Sequence, residues 1–182
     1  MNTTILLNAV QFAAFKHQKQ RRKDADASPY INHPIAVAHL LADVGGISDI
    51  DTLVAAVLHD TIEDTETTAP ELEEHFGRTV REVVEEVTDD KGKDKELRKQ
   101  LQIEHSAGLS SRAKAIKLAD KIANVRDVTE SPPAKWNLGR RAEYLNWTEK
   151  VIAGCRGTND RLEQYYDQVL AAGRAKLASA GF

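Results

Sequence analysis

Apolar positions recur at three- and four-residue spacing along nearly the whole chain, which is the period of a helix buried along one face. Ile5, Leu6, Ala9, Val10 and Ala13 form a first stripe, with Thr3 or Thr4 placed to cap it. A basic polar stretch, residues 16–26, follows and ends at the turn-forming Ser28-Pro29. Pro34 suits the first position of a second helix, because its missing N–H costs nothing there. That helix runs to about Val44 and is stopped by Gly45-Gly46. Ser48 or Asp49 can cap a third helix, whose stripe is Leu53, Val54, Val57 and Leu58. A short helix starts near Thr68, takes Pro70 in its first turn and ends at Gly77.

Val80, Val83, Val84 and Val87 are all β-branched, a composition that suits a strand, yet their spacing is helical. The spacing decides for a helix. Residues 89–96 read as a charged loop, 97–105 and 113–128 as helices, Ser131-Pro132-Pro133 as a break, and 140–152 and 160–177 as the last two helices. No stretch alternates long enough to be a strand, and no repeat or linker interrupts the pattern. The expectation is one all-α domain over residues 1–182, a bundle of roughly eight to ten helices.

Composition narrows the function. A chain of 182 residues fits one core of about 100–200 residues. With 41% hydrophobic and 29% charged residues it reads as an ordinary globular protein. Its net charge of −3 gives no global field for nucleic acid or membrane, so a phosphorylated ligand would need local basic residues. The single cysteine, Cys155, excludes an internal disulfide and fits the reducing cytoplasm. It has no neighbouring base in sequence to make it a nucleophile. Residues 1–15 read as an amphipathic helix rather than a signal peptide, and no stretch reaches the roughly 18 apolar residues of a membrane span.

The chemistry concentrates after the third stripe. His59, Asp60, Glu63 and Asp64 fall within six residues and follow directly on the apolar run 53–58. If the helix continued, His59 would share a face with Glu63, and Asp60 with Asp64. So many acids at a helix C-terminus oppose its dipole, and a cation would relieve them. A solvated acidic loop is the plain alternative. His33, just before the second helix, and Asp120, inside the apolar run 116–123, are the other ligand-type residues. Asp120 could equally be paired with Lys117 or Lys121. Asn124 lies one turn beyond Asp120, and Arg140 and Tyr144 have the same spacing. His17, His39, His75 and His105 read as structural or solvated. There is no P-loop, dinucleotide fingerprint or nucleophile elbow.

The series His33, His59-Asp60, Asp120 resembles the HD-domain superfamily of metal-dependent phosphohydrolases. RRKD (21–24), PYINHPIAVA (29–38), VLHDTIEDT (57–65), HFG (75–77), VEEVTDDK (84–91), KLADKIANVRD (117–127), EYLNW (143–147) and GTN (157–159) are similar to the hydrolase domain of RelA/SpoT proteins. The likeness is greatest to stand-alone small alarmone hydrolases, metazoan SpoT-like forms among them, and spans about residues 8–170. It implies an all-helical fold and one Mn²⁺ held by His33, His59, Asp60 and Asp120. It implies release of pyrophosphate from the 3′ position of guanosine 3′,5′-bis(diphosphate), without the synthetase activity of the long RelA/SpoT proteins. Glu63 and Asp64 match a catalytic acidic pair. Arg22, Lys23, Lys95, Asn124, Arg140 and Tyr144 match substrate-contacting positions, although the loop around Gly92-Lys93-Asp94 departs from the family.

The residues suit this chemistry independently. Two imidazoles and two carboxylates leave open positions on an octahedral ion, and accept Mn²⁺ as well as Fe²⁺, Co²⁺ or Zn²⁺. Two other readings share these residues: an HD phosphatase for another nucleotide, such as the 2′-phosphate of NADPH, and a silent nucleotide-binding regulator. Oligomeric state is not legible in the sequence.

Overall fold

The computed structural model describes residues 2–181, with side chains from residue 3 onward. Ten α-helices and one 3₁₀ turn occupy the described residues, and the only β-type pairing among them is an isolated bridge between Arg21 and Pro29. The helices are α1 (Asn2–Lys16), α2 (Asn32–Asp43), α3 (Ile50–Leu58), α4 (Thr61–Asp64) and α5 (Ala69–Phe76). They continue as α6 (Arg78–Val87), α7 (Lys95–His105), α8 (Ser111–Glu130), α9 (Leu138–Ala153) and α10 (Asp160–Ser179). The all-α expectation holds.

The centre is α8. It buries Ala113, Ile116, Leu118, Ala119, Ile122, Val125 and Val128, which together lie all the way around its axis. A helix apolar on all sides has to be surrounded, and α2, α3, α6, α9 and α10 all pack on it. Burial of α8 on all sides also carries Lys117, Asp120 and Lys121 into the interior. α3 is nearly as enclosed, with Val54, Ala55, Ala56, Val57 and Leu58 all buried. The valine stripe of α6 is buried at all four positions, so burial overrides the β preference of its residues.

Several boundaries follow the local chemistry. Asp49 caps α3 by accepting from the Thr52 N–H, and Thr68 caps α5 through the Glu71 N–H. Gly77 ends α5 at φ 85°, a left-handed conformation that a Cβ would disfavour.

Others differ from expectation. α1 begins at Asn2, so Thr3 and Thr4 lie inside it rather than capping it. α2 begins at Asn32, which makes Pro34 its third residue and puts His33 inside the first turn. A proline is still free of cost there, because N–H groups of the first turn have no intrahelical partner to lose. α7 starts two residues early, at Lys95, because Asp94 caps it by accepting from the Leu97 N–H.

The largest correction falls at residues 59–60. α3 stops at Leu58, and Asp60 has φ −98° and ψ −2°, off the helical values. α4 restarts at Thr61, so the helix expected to run through His59 and Glu63 is broken. The Thr61 hydroxyl donates to the Leu58 carbonyl, occupying an acceptor that the interruption leaves free.

Candidate metal centre and nucleotide clefts

The break after Leu58 turns His59 and Asp60 toward α2 and α8. His59 Nδ1 donates to the Ala56 carbonyl at 2.7 Å. That bond settles which ring nitrogen carries hydrogen and aims the Nε2 lone pair inward. Nε2 is buried and has no hydrogen-bond partner. Around it stand Asp60 Oδ2 at 3.1 Å and Asp120 Oδ1 at 4.0 Å. His33 Nε2 is 3.1 Å from Asp120 Oδ1 and 3.9 Å from Asp60 Oδ2. His33, His59 and Asp60 each offer a ligand-type atom within 4.8 Å of the others.

A lone pair left unpaired in the interior is costly in a protein that has nothing to coordinate. Two imidazoles and the Asp60 carboxylate converge, with Asp120 Oδ1 beside both imidazoles, and such imidazole and carboxylate donors suit a divalent cation. The charges agree. Burial opposes a charge on His59, but the neighbouring Asp60 and Asp120 carboxylates prevail and raise it to about 9. Burial likewise opposes the charge on Asp120, yet the Lys121 ammonium and His33 hold its carboxyl well below the usual range. The cluster therefore demands positive charge, which a proton or a metal can supply.

The bland partner foreseen for Asp120 is also present. Lys121 Nζ donates to Asp120 Oδ2 at 2.8 Å, and Asn124 Nδ2 donates to Oδ1 at 2.6 Å. Lys117 takes another route and donates to the Val87 carbonyl. The salt bridge uses one oxygen of Asp120 and leaves the other facing His33 and His59, so the two readings of this residue coexist.

Glu63 and Asp64 are neighbours on α4 but face different cavities. Glu63 lines the small cavity of about 160 Å³ that contains the His–Asp cluster. It accepts from the Asp89 backbone N–H at 3.1 Å and lies 3.5 Å from Arg98. Burial pushes its pKa up, and this outweighs the Asp89 hydrogen bond. Asp64 lines a larger cleft of about 720 Å³, where Gln20 donates to its Oδ2 at 2.8 Å and Lys91 pairs with its Oδ1.

The six residues matched to substrate contacts divide between two clefts. Arg22 and Asn124 border both the His–Asp cavity and the 720 Å³ cleft. Lys23 and Tyr144 border that cleft and a third cavity of about 790 Å³. Lys95 and Arg140 line the third cavity only and do not reach the His–Asp cluster. Arg22 is not free: its guanidinium is paired with Asp127 and 3.4 Å from Asn124 Oδ1.

Several neighbours escaped sequence reasoning. The Tyr30 hydroxyl donates to Asp60 Oδ2 at 2.6 Å. Trp136 lies 4.5 Å from the Arg140 guanidinium, ring centroid to Cζ, and extends the aromatic wall of Tyr144 and Trp147. His17, read as structural or solvated, is buried against Tyr30. Only Tyr30 carried a sequence signal, its place three residues before His33.

Comparison with known proteins places this geometry. The HD-domain family model matches residues 9–143, a span that includes every residue of the cluster. The chain belongs to the HD-domain family. Among HD-domain proteins it is similar to guanosine-3′,5′-bis(diphosphate) 3′-pyrophosphohydrolase MESH1 of Xenopus tropicalis, 51% identical over 92% of this chain and 94% of that protein. The human MESH1 is 53% identical over 87% of this chain and 89% of its own. A solved structure, that of a metazoan orthologue of SpoT described as hydrolysing ppGpp and acting in starvation responses, superposes with a TM-score of 0.90. It is 45% identical and covers 92% of this chain and 94% of its own. No helix of this HD-domain protein, among the described residues, is long and apolar enough to cross a membrane.

Proposed function

We propose that this chain is a metal-dependent guanosine-3′,5′-bis(diphosphate) 3′-pyrophosphohydrolase that uses one Mn²⁺, with His33, His59, Asp60 and Asp120 as the ligands. The observation that carries the proposal is the buried, unpartnered Nε2 of His59 facing Asp60, Asp120 and His33. The MESH1 relatives, matched over nearly their full length, supply the reaction. When bound, a divalent cation polarises a phosphoryl oxygen and acidifies water; imidazole and carboxylate donors suit Mn²⁺ among the divalent metals.

The chain's own groups do the rest. Glu63 stands in the same cavity, and burial raises its affinity for protons toward what a general base needs. It takes a proton from the water that attacks the phosphorus on the ribose 3′ oxygen. The bond between that oxygen and phosphorus breaks, the 3′ oxygen takes the proton from Glu63 to become the hydroxyl, and GDP and pyrophosphate are released. Asp64 orients the same face from the neighbouring cleft. Arg22, Lys23 and Asn124 border the cleft nearest the cluster and bind the nucleotide there, while Lys95, Arg140 and Tyr144 meet its outer phosphates.

The whole of residues 1–182 acts as one domain in this reading. α10 lies beyond the matched span but buries Leu162, Tyr166, Leu170 and Leu177 in the same core. The substrate is a small nucleotide, and the one thiol, buried at Cys155, suits the cytoplasm.

The test is incubation of the purified protein with guanosine 3′,5′-bis(diphosphate), with Mn²⁺ or after chelation, while following pyrophosphate. Release of pyrophosphate and GDP only with metal is the expected result. A protein loaded with metal that releases none is not an alarmone hydrolase.

A further inference from the structure

A part-buried network that no part of the reaction above uses runs behind Asp60 and Asp64. His17 directly follows α1, is 2% exposed, and places Nδ1 2.7 Å from Gln20 Oε1. Gln20 Nε2 in turn donates to Asp64 Oδ2 at 2.8 Å. A carboxylate only accepts, so the Gln20 amide must present its NH₂ to Asp64 and its carbonyl to His17. His17 must then carry its proton on Nδ1. The other face of the imidazole packs on the Tyr30 ring at 4.9 Å, and the Tyr30 hydroxyl donates to Asp60. The backbone around Gln20 is pinned as well, its N–H to the His17 carbonyl and its carbonyl from the Tyr30 N–H.

We infer that His17 is a positioning residue, holding Asp64 through Gln20 and Asp60 through Tyr30. The inference rests on the proposed roles of those two acids. A solvated or merely space-filling histidine has no reason to be buried with its Nε2 unpartnered. What holds it there is the Nδ1 bond, and that bond leads to Asp64. Only the amide of Gln20 can pass the constraint on, because it offers a donor and an acceptor on adjacent atoms. Lys91 closes the other oxygen of Asp64, so without Gln20 the carboxylate would swing toward the exposed Lys91 side.

The experiment compares His17→Phe and His17→Asn with wild type. Phenylalanine keeps the ring on Tyr30 and removes the donor. Asparagine keeps a donor near the Nδ1 position and removes the ring. His17→Phe should lower kcat about 10-fold or more with KM and bound Mn²⁺ unchanged, the usual scale for outer-sphere partners. His17→Asn should recover most of that loss. In an Asp64→Asn background, His17→Phe should cost nothing further, since both act on one group. A wild-type kcat in His17→Phe, or full additivity with Asp64→Asn, overturns the inference.

A readout without substrate separates this from the alarmone reading. The Nδ1 proton of His17 should give an exchange-protected NMR signal in wild type that is lost in Gln20→Leu. Absence of that signal in wild type overturns the inference even if both His17 variants fail to fold. An inactive wild type that shows the signal keeps the network and sinks only the substrate assignment.

Discussion

His33 Nε2 and Asp120 Oδ1 lie 3.1 Å apart, although 87 positions separate them in the chain. The contact exists because α2 packs across α8 at the turn where Asp120 is buried. Neither helix presents the cluster alone. His59 and Asp60 join it only because α3 stops one residue short of them.

Asp120→Ala should abolish metal binding. Elemental analysis of purified wild type is expected to give about one Mn²⁺ per chain, and the variant close to none, because the ion loses a carboxylate while Lys121 is left buried and unpaired. Full occupancy in the variant would remove Asp120 from the ligand set.

Glu63→Gln should retain metal and lose turnover. The amide oxygen can still accept from the Asp89 N–H, so local structure is preserved, but no base remains. A fall in kcat of about 10²–10⁴-fold is expected. A variant working at near-normal rate assigns the proton transfer to another group.

Asp49 links stability to pH at a site remote from the cluster. Hydrogen bonds from Arg112, then from Thr52, pull its carboxyl down to about 2 from an ordinary 3.8. A depressed carboxylate stabilises the fold above its unfolded pKa, and the contribution disappears as pH falls through the folded value. Asp49→Ala should therefore cost about 1 kcal/mol at neutral pH through loss of the α3 cap. The gap to wild type should close between about pH 4 and pH 2. Urea unfolding at pH 7 and pH 2 reads this directly, and an equal gap at both would contradict it.

Gly154→Ala tests packing rather than backbone strain. Gly154 has an ordinary φ of −76°, but a Cβ there would lie 2.0 Å from Ser106 Oγ and 2.8 Å from the Ala107 backbone nitrogen. Backbone cannot move aside cheaply, so the substitution should destabilise by about 1–3 kcal/mol, measured by thermal unfolding. An unchanged melting temperature would show that the 3₁₀ turn at Ser106–Gly108 yields freely.

Spacing along the chain was enough to show the all-helical class, the valine helix α6, a start at Ser48 or Asp49 and another near Thr68, and the stop at Gly77, because each depends on residues within a turn or two of one another. Residue type and order were enough to single out His33, His59, Asp60 and Asp120, and their motifs carried the family. Tertiary structure decided what those side chains meet. It broke the helix at Asp60, sent Glu63 and Asp64 into separate cavities, paired Arg22 with Asp127 and buried His17 behind the acids. None of these could be read locally: burial and pairing belong to helices that pack together across tens of residues, and periodicity reports which face is apolar without saying what lies against it.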